Sequence, residues 1–307
     1  MKRPGTGYNW RLETPIYATA FFTGNVFPTM HVLMPLWALE LTGSPIIIGI
    51  IISCRQILPV LLSIHGGVML DKYGPRKVII WMGLIGALCT GMFPVFPFIW
   101  AAMVLQIVTG FAETTNWIGV QSAVGTILKG APVYAGRMTA SARTGGFFGP
   151  VLAGLMWETY GPLGGFVFLS CWLTCGVLAA AFLPRRQKKD VFFREGSHEN
   201  PVWTNNGLMI KISDYRDTLA LLATSAIALV IMATFMRQTG SGVQSSFYGV
   251  WLRQELGLDG TTIGFLIGFG NLVSAASALT IGSLTRHFAD HWLLLWMVGL
   301  AIVGVAL

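Results

Sequence analysis

The chain has 307 residues, 54% of them hydrophobic and only 11% charged, with a net charge of +7 and a mean hydropathy of +0.65. A soluble domain carries about 25% charged residues. This composition therefore excludes an ordinary soluble enzyme or binding domain and points to an all-α polytopic membrane protein; the apolar runs do not alternate, which excludes the short strands of a membrane barrel.

In chain order, the runs long enough to cross a bilayer (about 20 residues) fall at Ile16–Leu39, Pro45–Leu70, Val78–Val95, Phe98–Ala123, Met138–Trp157, Gly164–Leu183, Thr218–Trp251, Thr261–Leu284 and His291–Leu307. The seventh is interrupted by "RQTGSG". Cys54, Cys89, Cys171 and Cys175 lie inside these runs without His or acidic partners, and read as packed thiols.

Lys and Arg set the orientation. With the N-terminus in the cytoplasm, Lys2, Arg3, Arg11, Lys72, Arg76, Lys77, Lys129, Arg137, Arg286 and the basic residues from Arg185 to Arg216 all fall on cytoplasmic segments. The exceptions are Arg55, Arg143, Arg237 and Arg253. The positive charge is thus mostly topology, and it does not argue for nucleic acid. The expected location is the inner (plasma) membrane.

The polar, basic stretch Pro184–Arg216 divides the chain. Residues 1–183 read as a six-helix bundle, 184–216 as a cytoplasmic linker, and 217–307 as the start of a second bundle. A repeat supports the division: "LTGSPIIIG" resembles "LGLDGTTIG", and Gly49 to Gly67 is the same interval as Gly264 to Gly282. Arg286 stands in the second copy where Asp71 stands in the first. The pattern stops inside an apolar run at Leu307, so a partial version of a longer protein is expected, with about nine helices of a six-plus-six pseudo-repeat.

Two short stretches carry more than topology. "GGVMLDKYGPRK" clusters charge in one turn, Gly66–Lys77. Its bases suit anionic lipid headgroups, but that does not explain Gly67, which permits close helix approach, or Asp71. The Asp71 carboxylate can favour a neighbouring helix N-terminus or pair with an arginine when the cytoplasmic side closes. In "GGFFGPVLAG", Gly145, Gly149 and Pro150 remove bulk and a backbone hydrogen bond at one level, which suits a bend and a tight contact.

Both stretches resemble motifs of major facilitator superfamily transporters. Gly67, Asp71, Lys72, Gly74, Arg76 and Lys77 fit the loop between the second and third helices, with Pro75 where a basic residue is common. Gly145, Gly149, Pro150 and Gly154 match the fifth-helix motif of exporters and antiporters, with Ala153 in place of a usual glycine. "PLWALELTGSPIIIG", Pro35–Gly49, shares the likeness. The resemblance implies two bundles rocking around a central site, with these motif residues as gating elements.

Glu113 reads as the one acidic residue well inside a span. A carboxylate there is costly, so it is protonated, paired or functional. Gln106, Gly110, Glu113 and Trp117 share a helix face, with Asn116 beside them. The resemblance implies that this helix lines the cavity, and the family often carries an arginine where Gln106 stands. Arg55 and Arg143, at mid-depth, either neutralise Glu113 or bind an anionic substrate. His31 and Asn25 are further cavity candidates, with Gln238 and Gln244 weaker ones.

No catalytic constellation, metal cluster, cofactor motif or Walker-type loop is present in the sequence. The expectation is a secondary active transporter of a small organic molecule, working by proton-coupled efflux as an antiporter. The alternatives are uptake of a small organic anion by symport, or a membrane receptor or scaffold that does not transport. The expected partners are a small-molecule substrate, protons and the lipid bilayer, with the protein a monomer.

Overall fold

Glycine and proline punctuate the apolar runs, and they become the ends and breaks of helices. The computed structural model describes residues 10–128, 132–184 and 248–284, with single positions at 232, 235, 296 and 299. Among the described residues there are helices and no strands.

The first expected span is two helices, α1 (Trp10–Thr23) and α2 (Val26–Leu41). The second is α3 (Pro45–Ser53), a 3₁₀ turn (Cys54–Gln56) and α4 (Ile57–Tyr73). Then come α5 (Pro75–Met92), α6 (Ile99–Ile127), α7 (Pro132–Ala181) and α8 (Gly260–Leu284). Residues 248–254 form a helical end before α8. The rest of the seventh span, most of the ninth and nearly all of Pro184–Arg216 lie outside the described residues.

The first span differs from its expectation because Asn25 competes with the helix. Asn25 Nδ2 donates to the Phe21 carbonyl (2.7 Å), and Thr29 Oγ1 donates to the Asn25 carbonyl (2.8 Å). Such local side-chain bonds offer the backbone an alternative to the helical ladder. The fifth and sixth spans reverse directly at Gly161, whose φ of +67° suits a residue without a Cβ. Pro162 opens the returning arm.

Small residues set the distances between helices. The first arm of α7 meets α1 and α2 on one side and α8 on the other. A Cβ on Gly145 would overlap the Phe21 carbonyl, and one on Gly149 would strike Thr29 Oγ1. On the adjoining face, Gly154 meets the Gly260 carbonyl, and Gly264 meets the Pro150 carbonyl. Gly260, Gly264 and Gly268 recur every fourth residue, so they share one face of α8. Lipid is as apolar as these side chains, so van der Waals packing of this kind holds the helices together. At the end remote from Gly74, Phe166 is fully buried. It lies against Phe93 (4.9 Å between rings), Trp37 (5.9 Å) and Trp157 (6.1 Å).

Asp259 caps α8. Its carboxylate accepts from the Thr262 N–H (3.3 Å) and the Thr262 hydroxyl, and its carbonyl accepts from Ile263 N–H (3.0 Å). The Thr262 hydroxyl holds the Asp259 carboxyl below its ordinary range.

Gly264→Ala forces α7 and α8 apart, at a cost of about 1–3 kcal/mol. Gly270→Ala meets no atom of the described residues within 4 Å and gains helix propensity. Melting in detergent should therefore fall for the first and hold or rise for the second. Equal shifts would refute the packing argument.

Candidate functional site

A guanidinium in the middle of an apolar run needs an acid and further acceptors. Arg55 sits in the 3₁₀ turn between α3 and α4 and is 4% exposed. It forms an ion pair with Glu113 of α6, and its Nη1 donates to Gln106 Oε1 (3.1 Å). Gln106 is buried, and the Glu113 side chain is 13% exposed. Gln106 and Glu113 stand about two helical turns apart on one face. Gly110 lies between them, and a Cβ there would overlap the Arg55 carbonyl. The glycine thus seats α6 against the kink, with an acceptor on either side of the guanidinium. Of the two arginines weighed as partners for Glu113, Arg55 takes the place.

Arg143 is exposed on α7, and its Nη1 donates to Asn271 Oδ1 of α8 (3.0 Å). Asn271 Nδ2 in turn donates to the Ile267 carbonyl (3.1 Å). Asn116 faces α5 instead of an open space. Its Nδ2 donates to the Ile79 carbonyl (3.1 Å) and its Oδ1 accepts from Gly83 N–H (3.3 Å), in the amide orientation its neighbours require. Asn25 is fully buried beneath Gly145 and Gly149. Both asparagines therefore stand at helix contacts, where small glycines admit them. His31 is half-buried, edge-on to Phe27 (4.2 Å), and its carbonyl faces Gly249. Gln238 and Gln244 lie outside the described residues.

The charged turn has a defined geometry. Gly74 adopts φ +80°, and its N–H closes α4 on the Leu70 carbonyl (2.9 Å). Arg76 Nη2 donates to the Ala181 carbonyl (2.7 Å) at the end of α7, where a cation suits the helix dipole. Lys72 lies over the Tyr73 ring (5.5 Å). Asp71 and Lys77 are exposed. Gly67 departs from its expected close approach: no described atom lies within 4 Å of a Cβ there. Gly66 is the glycine turned toward α6, at Thr115.

Kinked apolar helices, glycine-seated crossings and this turn now have a common source. The family profile of the Major Facilitator Superfamily matches residues 16–307. The chain belongs to the Major Facilitator Superfamily. It is also similar to the uncharacterized MFS-type transporter YceJ of Bacillus subtilis (strain 168), at 26% identity over 273 residues. That match covers 84% of this chain and 63% of YceJ, so the chain spans less than two thirds of that relative's length. Membership in the Major Facilitator Superfamily makes it an integral membrane protein of a transporter family.

Two polar groups of this Major Facilitator Superfamily chain escaped the sequence reading. Glu13 precedes the expected first span, yet it is 1% exposed. Its Oε2 accepts from Arg137 Nη1 (3.1 Å) and from the Tyr17 hydroxyl (3.0 Å). The signal available was its spacing to Tyr17, one turn along the same face. Glu158 falls in the short stretch between the expected fifth and sixth spans. It contacts Arg253 and the start of α8.

Arg55→Met leaves Glu113 charged and without its partner, at a cost of about 3–5 kcal/mol. Arg55→Met with Glu113→Leu should recover most of that loss. Melts of the single and double variants in detergent measure the coupling, and simple additivity would show that the pair is not one unit.

Proposed function

We propose that the chain is a secondary active transporter that uses protons to drive efflux of a small organic molecule, with Glu113 carrying the proton. The observation behind this reading is the buried Arg55–Glu113–Gln106 cluster at the kink between α3 and α4. Ionised Glu113 holds Arg55 by charge. A proton on Glu113 cancels that attraction and leaves Arg55 with the neutral Gln106. Two discrete arrangements of one kinked helix follow, which is what a coupled cycle needs. The 3₁₀ turn and the Gly110 crossing are where such a shift would be absorbed.

Efflux is supported by the likeness of Gly145–Gly154 to the exporter motif. Those residues touch α1 and α2 on one face, within the first bundle, and α8 on the other, the surface that rocking bundles would slide across. In this reading Asp71, exposed at the end of α4, would meet the second bundle when its side closes. YceJ is described as a transporter, and its name gives no substrate.

A second reading, uptake of a small organic anion, is favoured by Arg143. Its guanidinium is exposed where α7 meets α8, beside the Asn271 amide. The direction of flux separates the two readings.

The test is flux in proteoliposomes under an imposed pH gradient, with a panel of organic cations and anions. The gradient should drive transport by the parent chain. Glu113→Gln should keep exchange at equal pH and lose the gradient-driven component; full gradient-driven flux in this variant would overturn the assignment. Asp71→Asn should slow flux several-fold while shifting stability by no more than about 0.5 kcal/mol, read from melts of the same samples.

A further inference from the structure

At the membrane face opposite the Gly74 turn, one carboxylate joins the first six spans to the segment after the linker. The chain path fixes the face. The first arm of α7 rises from Pro132 to Gly161, and the second returns to Ala181, where Arg76 meets it. Glu158 stands just before the reversal, at the far end. Its Oε1 accepts from the Gly260 N–H at the start of α8 (2.6 Å) and from Arg253 Nη1 at the end of the preceding helix (3.2 Å). Arg253 Nη1 also donates to the Leu258 carbonyl (3.0 Å), which closes the 254–259 turn on itself. We infer that Glu158 is a clasp that holds this face shut by gripping the turn before α8.

The chemistry suits a contact that can open. Both donors are favourable to a carboxylate: one is a guanidinium, the other the positive end of a helix dipole. The side chains are 31% and 39% exposed, so water can replace either partner. Gly260 makes the room, since a Cβ there would stand 3.0 Å from Glu158 Oε1 and 3.4 Å from the Gly154 carbonyl. Beneath the clasp, the α7–α8 contact is backbone on backbone at Gly154 and Gly264, with no side chains of those residues to disengage. Among the described residues, the other charged groups around Arg253 are few. On α2, Glu40 is exposed and lies where the Arg253 charge acts on it. On the turn, Glu255 is exposed, and Asp259 is engaged with Thr262. Leu36 of α2, 4% exposed, lies directly under the junction against Gly260.

The inference rests on the transport reading only in supposing that this face opens. Its test therefore uses neither substrate nor gradient. Leu36→Cys is introduced into the full chain in membrane vesicles, and labelling by a membrane-impermeant maleimide is timed from that face against the parent chain's own cysteines. Labelling should be slow with Glu158 present. Glu158→Ala should speed it about tenfold or more. Glu158→Gln, which keeps an acceptor for the Gly260 N–H but drops the charge, should fall between. Arg253→Ala should add little on top of Glu158→Ala. Glu255→Gln should match the parent. Unchanged labelling in Glu158→Ala would overturn the clasp, and so would equal acceleration by Glu255→Gln. Ile79→Cys, fully buried near the opposite face, must stay protected in the Glu158→Ala background; exposure there would mean general loosening and would also overturn it. A chain that labels as expected but moves no compound would sink the transport reading and leave the clasp standing.

Discussion

Close backbone approach at glycine is the constraint on which the polar contacts of this molecule depend. Gly110 seats α6 on the Arg55 carbonyl, and only then do Gln106 and Glu113 reach the guanidinium. Gly145 and Gly149 press on the break between α1 and α2, where Asn25 is buried. Gly83 admits the Asn116 amide to α5, and Gly260 admits the Glu158 carboxylate to the start of α8. In a bilayer the hydrophobic effect does not drive helices together, so contact area between small residues decides the spacing. A polar side chain can then be satisfied only where that spacing allows. The glycines come first in the causal order, and the ion pairs and amide bonds follow from them.

This order explains what was legible in the sequence. Hydropathy located the helices, because bilayer thickness demands long apolar runs whatever their partners. The turn at Gly74 was legible because its chemistry is local: a residue at φ +80°, then a proline and bases. The stretch Gly145–Gly154 was legible as a tight contact for the same reason. Partners were harder. Arg55 and Glu113 sit on different helices, and choosing Arg55 over Arg143 needs the crossing at Gly110, which no spacing along one helix encodes. Asn116 shares a neighbourhood with Glu113 in sequence, but its amide turns to α5 because Gly83 leaves a gap there. The sequence suggests a close approach at Gly67 that none of the described residues makes, while Gly260 and Gly264 enter the sequence reading through the repeat alone and Gly268, equally spaced after them, does not enter it. Their spacing was the available signal for a second tight helix contact.

The charged groups fall into two kinds, and the difference bears on how the molecule works. Arg55 and Glu113 are almost wholly withdrawn from solvent and lie within the first six spans. Desolvating two charges costs more than their attraction returns unless the geometry and extra acceptors are good, so well-packed apolar residues would serve stability as well or better. Under the proposed function, such a pair would matter for what it permits, namely a change of charge state inside the bundle. Glu158 and Arg253 are the opposite case: about a third open to water, spanning the junction with α8, and resting on a smooth glycine contact. A pair of that kind adds little to folding and can be exchanged for water at small cost. Its influence lies in the balance between two placements of α8 against α7. Under the proposed function, one group would respond to a proton in the interior and the other to separation at the surface. A transport cycle requires both responses, and the helices that bear them, α6 and α7, pack on the same α5.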